Sequence, residues 1–263
     1  MRGPLFDPRQ RGRVRGISVN GLAKMQSICR LCGKPNELCR SHIIPEFMYD
    51  PLYDEKHRFF IVNTDSDSER RSQQGLNEKL LCRACEQKFC RYEKYAAEAM
   101  TGRLGHKFKQ YGDKLCIVGL DYTKFKLFQI SILWRASVST LEFFKFVSLG
   151  PREERARHML LADDPGTPEE FGCVVVFAHD RGSDVSDTML NPEPMRWAGR
   201  QMHKFFFAGA AWLYHCDQRP AANHLKKFFL QRDGTLLGLH GDLDHAKTFG
   251  VTARRFAKRR RWV

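Results

Sequence analysis

This chain has no long apolar run. Its most apolar region, Tyr122 to Leu149, is broken by Lys124, Lys126, Arg135, Glu142 and Lys145, whereas a bilayer span needs about 18 apolar residues with few or no charges. A soluble protein with no membrane segment is expected. Also missing is any apolar core with a small-residue cleavage site behind Arg2, Arg9, Arg11, Arg13 and Arg15. No secretory signal is read there, and a cytoplasmic location is expected. The sequence has no internal repeat, so solenoids and propellers are not in question. It is short of acid as well: 30 Asp and Glu stand against 44 Lys and Arg, a formal charge of +14. That balance favours a polyanionic partner, because neutralising phosphates releases condensed counterions.

With 263 residues, 42% of them hydrophobic and 28% charged, the chain is long enough for one large domain or two small ones. Residues 1–26 contain Gly, Arg and Pro without apolar periodicity and read as a basic arm. Met25, four residues ahead of Cys29, is an alternative start. Residues 27–102 carry the paired cysteines. Within them, "RFFIV" (Arg58 to Val62) has the aromatic and β-branched content of a strand. "NTDSDSERRSQQG" (Asn63 to Gly75) reads as a polar loop. Leu76 to Met100 reads as a turn leading into a helix, with Phe89, Tyr92 and Ala96 on one face.

Residues 103–263 read as a larger α+β domain. Leu127, Ile130, Trp134, Val138 and Leu141 recur at helical spacing, and the other faces are apolar too, which predicts a buried helix. A second helix is expected after "LGP", with Pro151 in its first turn and Glu153 and Glu154 favourable at its N-terminus. "CVVVFAHD" reads as a strand and "KFFFAGAAWLYHC" (Lys204 to Cys216) as another. Arg254 to Arg261 closes the chain with six basic residues among eight. No motif in this part carries chemistry beyond the isolated pairs His179-Asp180 and His215-Cys216. Its aromatic helices suit a core, an oligomer contact or a partner protein.

Nine cysteines is an odd count, and four form two C-x-x-C pairs, Cys29/Cys32 and Cys82/Cys85. Without an export signal this pattern favours thiolates on a metal over disulfides. Each knuckle turns two sulfurs toward one ion, and a tetrahedral structural zinc takes four. Cys82 lies fifty positions after Cys32, and the residues between them must form an inserted structure. Cys39 and Cys90 are expected to be small hydrophobes.

Between the knuckles lies "LCRSHIIP", and before the second pair "NEKLLCRACEQK". In combined order and spacing, over about Ile28 to Tyr95, these resemble the HNH endonucleases, ββα-metal nucleases braced by a four-cysteine zinc. The resemblance implies a zinc-braced ββα module in an α+β chain and hydrolysis of phosphodiester bonds. His42 matches the general base, Asn77 the middle Asn, and Lys88 the trailing Lys. Ser41 stands where the family has Asp, Glu or His, and Glu86 where it has His or Asn. Both are positions that hold the catalytic Mg²⁺ or Mn²⁺ in the family. Glu86 is a competent oxygen ligand and a serine hydroxyl a poor one, so a second carboxylate is sought in Glu46, Asp65 or Asp67.

The implied reaction has a neutral His42 taking a proton from water while an ion held through Glu86 stabilises the charge at phosphorus. Asn77 would hold the loop or orient His42. Arg40, Arg83 and Lys88 are candidate phosphate contacts. DNA is the expected substrate, and the family often serves in defence against foreign DNA or in mobile elements. The alternative is a zinc-braced nucleic-acid-binding module without catalysis, in which Ser41 is free to stay.

Overall fold

The computed structural model describes residues 27–63, 68–180, 183–184, 186 and 189–242. The arm over residues 1–26, the candidates Asp65 and Asp67, and the run from Arg254 to Arg261 lie outside the described residues. Residues 1–26 hold five Arg and one Lys against Asp7, and residues 243–263 two Lys and five Arg against Asp244. Most of the formal +14 therefore belongs to the two terminal segments.

The described chain is α+β. It begins with the short pair β1 (Ser27–Ile28) and β2 (Pro35–Asn36), then β3 (Leu38–His42) and a 3-10 turn (Glu46–Leu52). A hairpin of β4 (Phe59–Asn63) and β5 (Ser68–Ser72) follows, then β6 (Asn77–Cys82) and helix α1 (Arg83–Met100). Next come β7 (Lys107–Tyr111), β8 (Lys114–Val118), α2 (Tyr122–Val138) and α3 (Glu153–Ala162). The chain continues through β9 (Cys173–Asp180), β10 (Ser183–Asp184), β11 (Leu190–Trp197), β12 (Arg200–Phe207) and β13 (Ala210–His215). The single helical turn α4 (Asn223–Lys226) and β14 (Leu236–Asp242) complete it.

Helix α2 starts where the Asp121 carboxylate accepts the backbone N–H of Lys124 at 3.0 Å, an N-cap that satisfies one orphan donor. It has no polar face because it has no wet one: it packs against α1 and α3 on one side and toward the sheet on the other, where Phe128 meets Trp212 edge-on. Pro151 sits in a 3-10 turn (Gly150–Arg152) that feeds α3, and Glu153 and Glu154 occupy the first turn of that helix.

The large sheet runs β5-β4-β11-β12-β13-β9-β14-β8-β7, with β10 beside β9. Its central strands are covered on both faces, which is why their sequences are continuously apolar rather than alternating. Phe205, Phe207, Trp212 and Tyr214 point to the main core, whereas Phe206, Ala211 and Leu213 point to a second cluster with Leu225, Phe228 and Phe229.

Three segments differ from the sequence expectation. "KFFFAGAAWLYHC" is two strands, because Ala208 and Gly209 both take positive φ (50° and 70°) and close a two-residue hairpin with Phe207 opposite Ala210. Ser68–Ser72, inside the expected polar loop, is strand β5, its backbone paired to β4. Asn77–Cys82, expected as a turn, is β6, paired to β3. The expected division near residue 102 falls inside one core: a single buried cluster runs from Cys29 to Leu236, and β4 joins the sheet by pairing with β11.

Candidate functional site

The two cysteine knuckles are made locally. Cys29 donates its N–H to the Lys34 carbonyl and accepts from Gly33 N–H, and Gly33 holds φ +71°, a conformation that suits glycine. Cys82 ends β6 and caps α1, so Cys85 stands in the first helical turn. The hairpin brings both pairs together: the four ligand atoms lie within 4.8 Å of one another, with Cys32 Sγ and Cys82 Sγ 3.9 Å apart. Four sulfurs about 2.3 Å from a tetrahedral ion would be separated by about 3.8 Å. The cluster therefore fits a metal such as zinc.

Its electrostatics agree. Burial would raise the Cys29 thiol, but backbone N–H groups of Cys32, Cys82 and Leu31 bring it below its ordinary value. Burial and the neighbouring sulfurs push Cys32 and Cys85 up. Four thiols so close ionise together only around a cation. Cys39 and Cys90 are not part of the cluster.

Beside the cluster, β3 and β6 pair antiparallel with His42 opposite Asn77, Ser41 opposite Glu78 and Arg40 opposite Lys79. Helix α1 follows directly. Alternation along β3 sends consecutive side chains to opposite faces, and this decides the site. Ser41 is fully buried and turns inward, where its hydroxyl donates to Glu86 and accepts from Leu81 N–H. His42 turns outward, and its Nε2 lies 2.7 Å from Glu46 Oε2.

The expected partnership of His42 with Glu86 is therefore replaced by two separate pairs. Glu46, one of three carboxylates sought for the ion, serves the histidine instead. Tyr53 donates to the same carboxylate at 3.2 Å. Asn77 holds its own loop, its Nδ2 donating to Gly75 O at 2.8 Å. Gly75 is packed so closely that a Cβ there would lie 2.8 Å from the Tyr49 ring and 3.0 Å from that of His42.

Burial holds the Glu86 carboxyl above its usual range, against the pull of the Ser41 hydroxyl and of Arg135. Arg135, on α2, is 1% exposed and pairs with Glu93 of α1 at 2.7 Å. It also donates to the carbonyl of His42. Among the described residues no His, Cys, Asp or Glu trio other than the four cysteines gathers its donors around one point. Ser41 and Glu86 are satisfied by each other, and among the described residues no further donors gather with Glu86 to hold a divalent ion.

Of the phosphate candidates, Arg40 and Arg83 are exposed. Lys88 is otherwise engaged: its ammonium donates to Leu161 O and pairs with Asp163 at 3.0 Å, tying α1 to the end of α3. Sequence reasoning missed Lys79, Glu46 as the partner of His42, and the Arg135–Glu93 pair. The signal for Arg135 was its place in a helix apolar on every side, where a charge must find a buried partner.

No helix among the described residues is long and apolar enough to cross a membrane. Comparison of the chain with protein-family models, with curated proteins and with solved structures gave no match.

Proposed function

We propose that the β3–β6 hairpin docks the sugar-phosphate backbone of nucleic acid, with DNA as the expected substrate, and that His42 acts there as general base in phosphodiester hydrolysis. One observation carries this reading. Arg40 and Lys79 are exposed and directly opposite each other, on the same face as His42 and Asn77, and neither has an ion-pair partner among the described residues. Like charges across a ladder are unfavourable unless an anion lies between them. A phosphate is such an anion. The resemblance to HNH endonucleases and the basic terminal segments support the same reading.

With its Nε2 proton on Glu46, His42 keeps a lone pair on Nδ1. Nδ1 takes a proton from water and the water oxygen forms a bond to phosphorus. The bond to the leaving sugar oxygen breaks, and that oxygen takes a proton from solvent. Arg40 and Lys79 neutralise the phosphate. Zinc on Cys29, Cys32, Cys82 and Cys85 supplies no step. It braces the hairpin against the helix and so fixes where His42 stands.

The second reading, binding without hydrolysis, is favoured by the closed Ser41–Glu86 pair. Labelled duplex DNA offered to the wild type, to His42→Ala and to the double variant R40E/K79E separates the two. The hydrolysis reading expects H42A to bind and not cut. Cutting that persists in H42A removes His42 as base. Binding by a wild type that never cuts selects the second reading, and binding undiminished in R40E/K79E overturns both.

A further inference from the structure

We propose that strand β7, the free edge of the large sheet, is a second nucleic-acid contact and that it takes a single strand. Lys107 and Lys109 hold the phosphates, and Tyr111 stacks a base. The site shares with the hydrolysis reading only the class of partner, and it is distinct from the β3–β6 face. Helix α1 stands between the two. It follows directly on β6, its 18 residues span about 27 Å, and β7 begins beyond its far end.

Strand β7 ends the sheet and pairs only with β8. All five of its residues, Lys107 to Tyr111, are exposed. Alternation puts Lys107, Lys109 and Tyr111 on one face and Phe108 on the other. Phe108 lies opposite Ile117, which packs against the main core, so its ring extends the rim of that core. The other face has no such tie. Opposite its three residues stand Val118, Cys116 and Lys114. Lys114 is neutralised by Asp113 at 3.0 Å, the single acid between Arg103 and Val118. Lys107 and Lys109 form no ion pair among the described residues. Tyr111 is 59% exposed, and its ring meets no other ring or cation among the described residues.

Lysines on an edge strand deter pairing with another chain. That accounts for Lys107 and Lys109 but not for Tyr111, which adds apolar area to the same row. Residues two apart on a strand stand about 6.7 Å apart, close to the step between successive phosphates of an extended strand. Two ammonium groups at that step, with an aromatic ring next in line, combine charge that tracks a backbone with a surface on which a base stacks. A duplex hides its base faces, so the ring gains only from an unpaired strand. Other occupants fit less well. A second copy pairing antiparallel about Lys109 would set that lysine against itself, and the chain's own terminal segments are basic, as β7 is.

The probe is a labelled oligothymidine of about 12 nucleotides, which forms no duplex and lies within the range such faces cover. Its affinity for the full, zinc-loaded chain is followed by fluorescence anisotropy across a salt series. In K107E/K109E the slope of log affinity against log salt should fall by about 1.4, at about 0.7 for each phosphate contact on a single strand. Tyr111→Ala should weaken binding at least about fivefold and leave the slope alone, because stacking releases no counterions. Tyr111→Phe keeps the ring and should bind as the wild type does. A wild type that does not bind overturns the proposal, and so does an affinity unchanged in either K107E/K109E or Y111A. A wild-type dimer in sedimentation that Y111A dissociates makes β7 a contact between copies and overturns it too. R40E/K79E separates the two sites, since it should lose duplex DNA and retain the oligothymidine. Duplex binding undiminished in R40E/K79E sinks the hydrolysis reading and leaves this one standing. Oligothymidine lost in R40E/K79E but kept in K107E/K109E sinks this one and leaves His42 as base.

Discussion

Arg40 and Lys79 face each other across the β3–β6 ladder, and neither forms an ion pair among the described residues. Two cations in a directly opposed cross-strand pair cost on the order of 0.2–1 kcal/mol relative to a neutral pair. A folding unit gains nothing by this arrangement, and a phosphate-binding face does. Lys79→Glu should therefore stabilise the fold by a few tenths of a kcal/mol in denaturant melts while weakening DNA binding. Each phosphate contact contributes about 0.9 to the slope of log affinity against log salt, so R40E/K79E should lower that slope by about 2. A slope unchanged in the double variant would place the DNA elsewhere.

Metal removal should act on the β3–β6 hairpin before the rest of the fold. Elemental analysis is expected to find one zinc per chain, absent in Cys82→Ser. Structural zinc contributes apparent binding free energies of about 10–16 kcal/mol, and the cluster ties β1–β2, β6 and α1 to one point. Hydrogen exchange after chelation should show protection lost over Leu38–His42 and Asn77–Cys82. Retained protection there would mean that the hairpin stands without its brace.

Lys126 gives the fold a pH dependence of predictable sign. It is fully buried, donating to Pro168 O at 3.1 Å and Phe171 O at 3.3 Å, and burial lowers its pKa from 10.5 to about 7. Between those values the unfolded chain carries a proton here that the folded chain does not, so stability rises with pH across the window and falls as pH drops toward 7. From pH 7 to pH 9.5 this group alone should add ~3 kcal/mol. Urea melts at the two pH values compare the wild type with Lys126→Met, in which that increment should vanish. An equal pH dependence in both proteins would refute the assignment.

Two glycines with similar backbones should respond differently to alanine. Gly234 has φ +79°, and a Cβ there would lie 2.1 Å from the Leu120 carbonyl oxygen. That carbonyl belongs to backbone tied to Gly234 by the Leu120 N–H at 3.0 Å, so neither side can yield. Gly199 has φ +71° with nothing within 4 Å. Gly199→Ala should cost the left-handed strain alone, about 1–2 kcal/mol, and Gly234→Ala clearly more. Equal losses in thermal melts would show that the contact at Leu120 relaxes.

What could be read locally was read well. The C-x-x-C pairs predicted the cluster because a knuckle needs only its own few residues. The apolar periodicity of Leu127, Ile130, Trp134 and Val138 predicted a buried helix, which ends at Val138 and leaves out Leu141, and "CVVVFAHD" was read as a strand. The hairpin turn at Ala208–Gly209 was missed because an alanine in the left-handed region is rare and gives no composition signal. Strand β5 was missed because "SERRS" has no apolar face and gains its place only through pairing with β4.

The sequence alone supplied the candidates: four cysteines at metal spacing, a histidine between them, and an excess of basic charge. Tertiary structure alone decided which of them meet. Strand alternation turned Ser41 inward to Glu86 and His42 outward to Glu46, and helix packing carried Arg135 to the backbone of a residue 93 positions away. The reason is physical: spacing along a chain dictates periodicity over a few residues. The partner of a buried charge is set by which elements pack together, and that depends on the burial of the entire core.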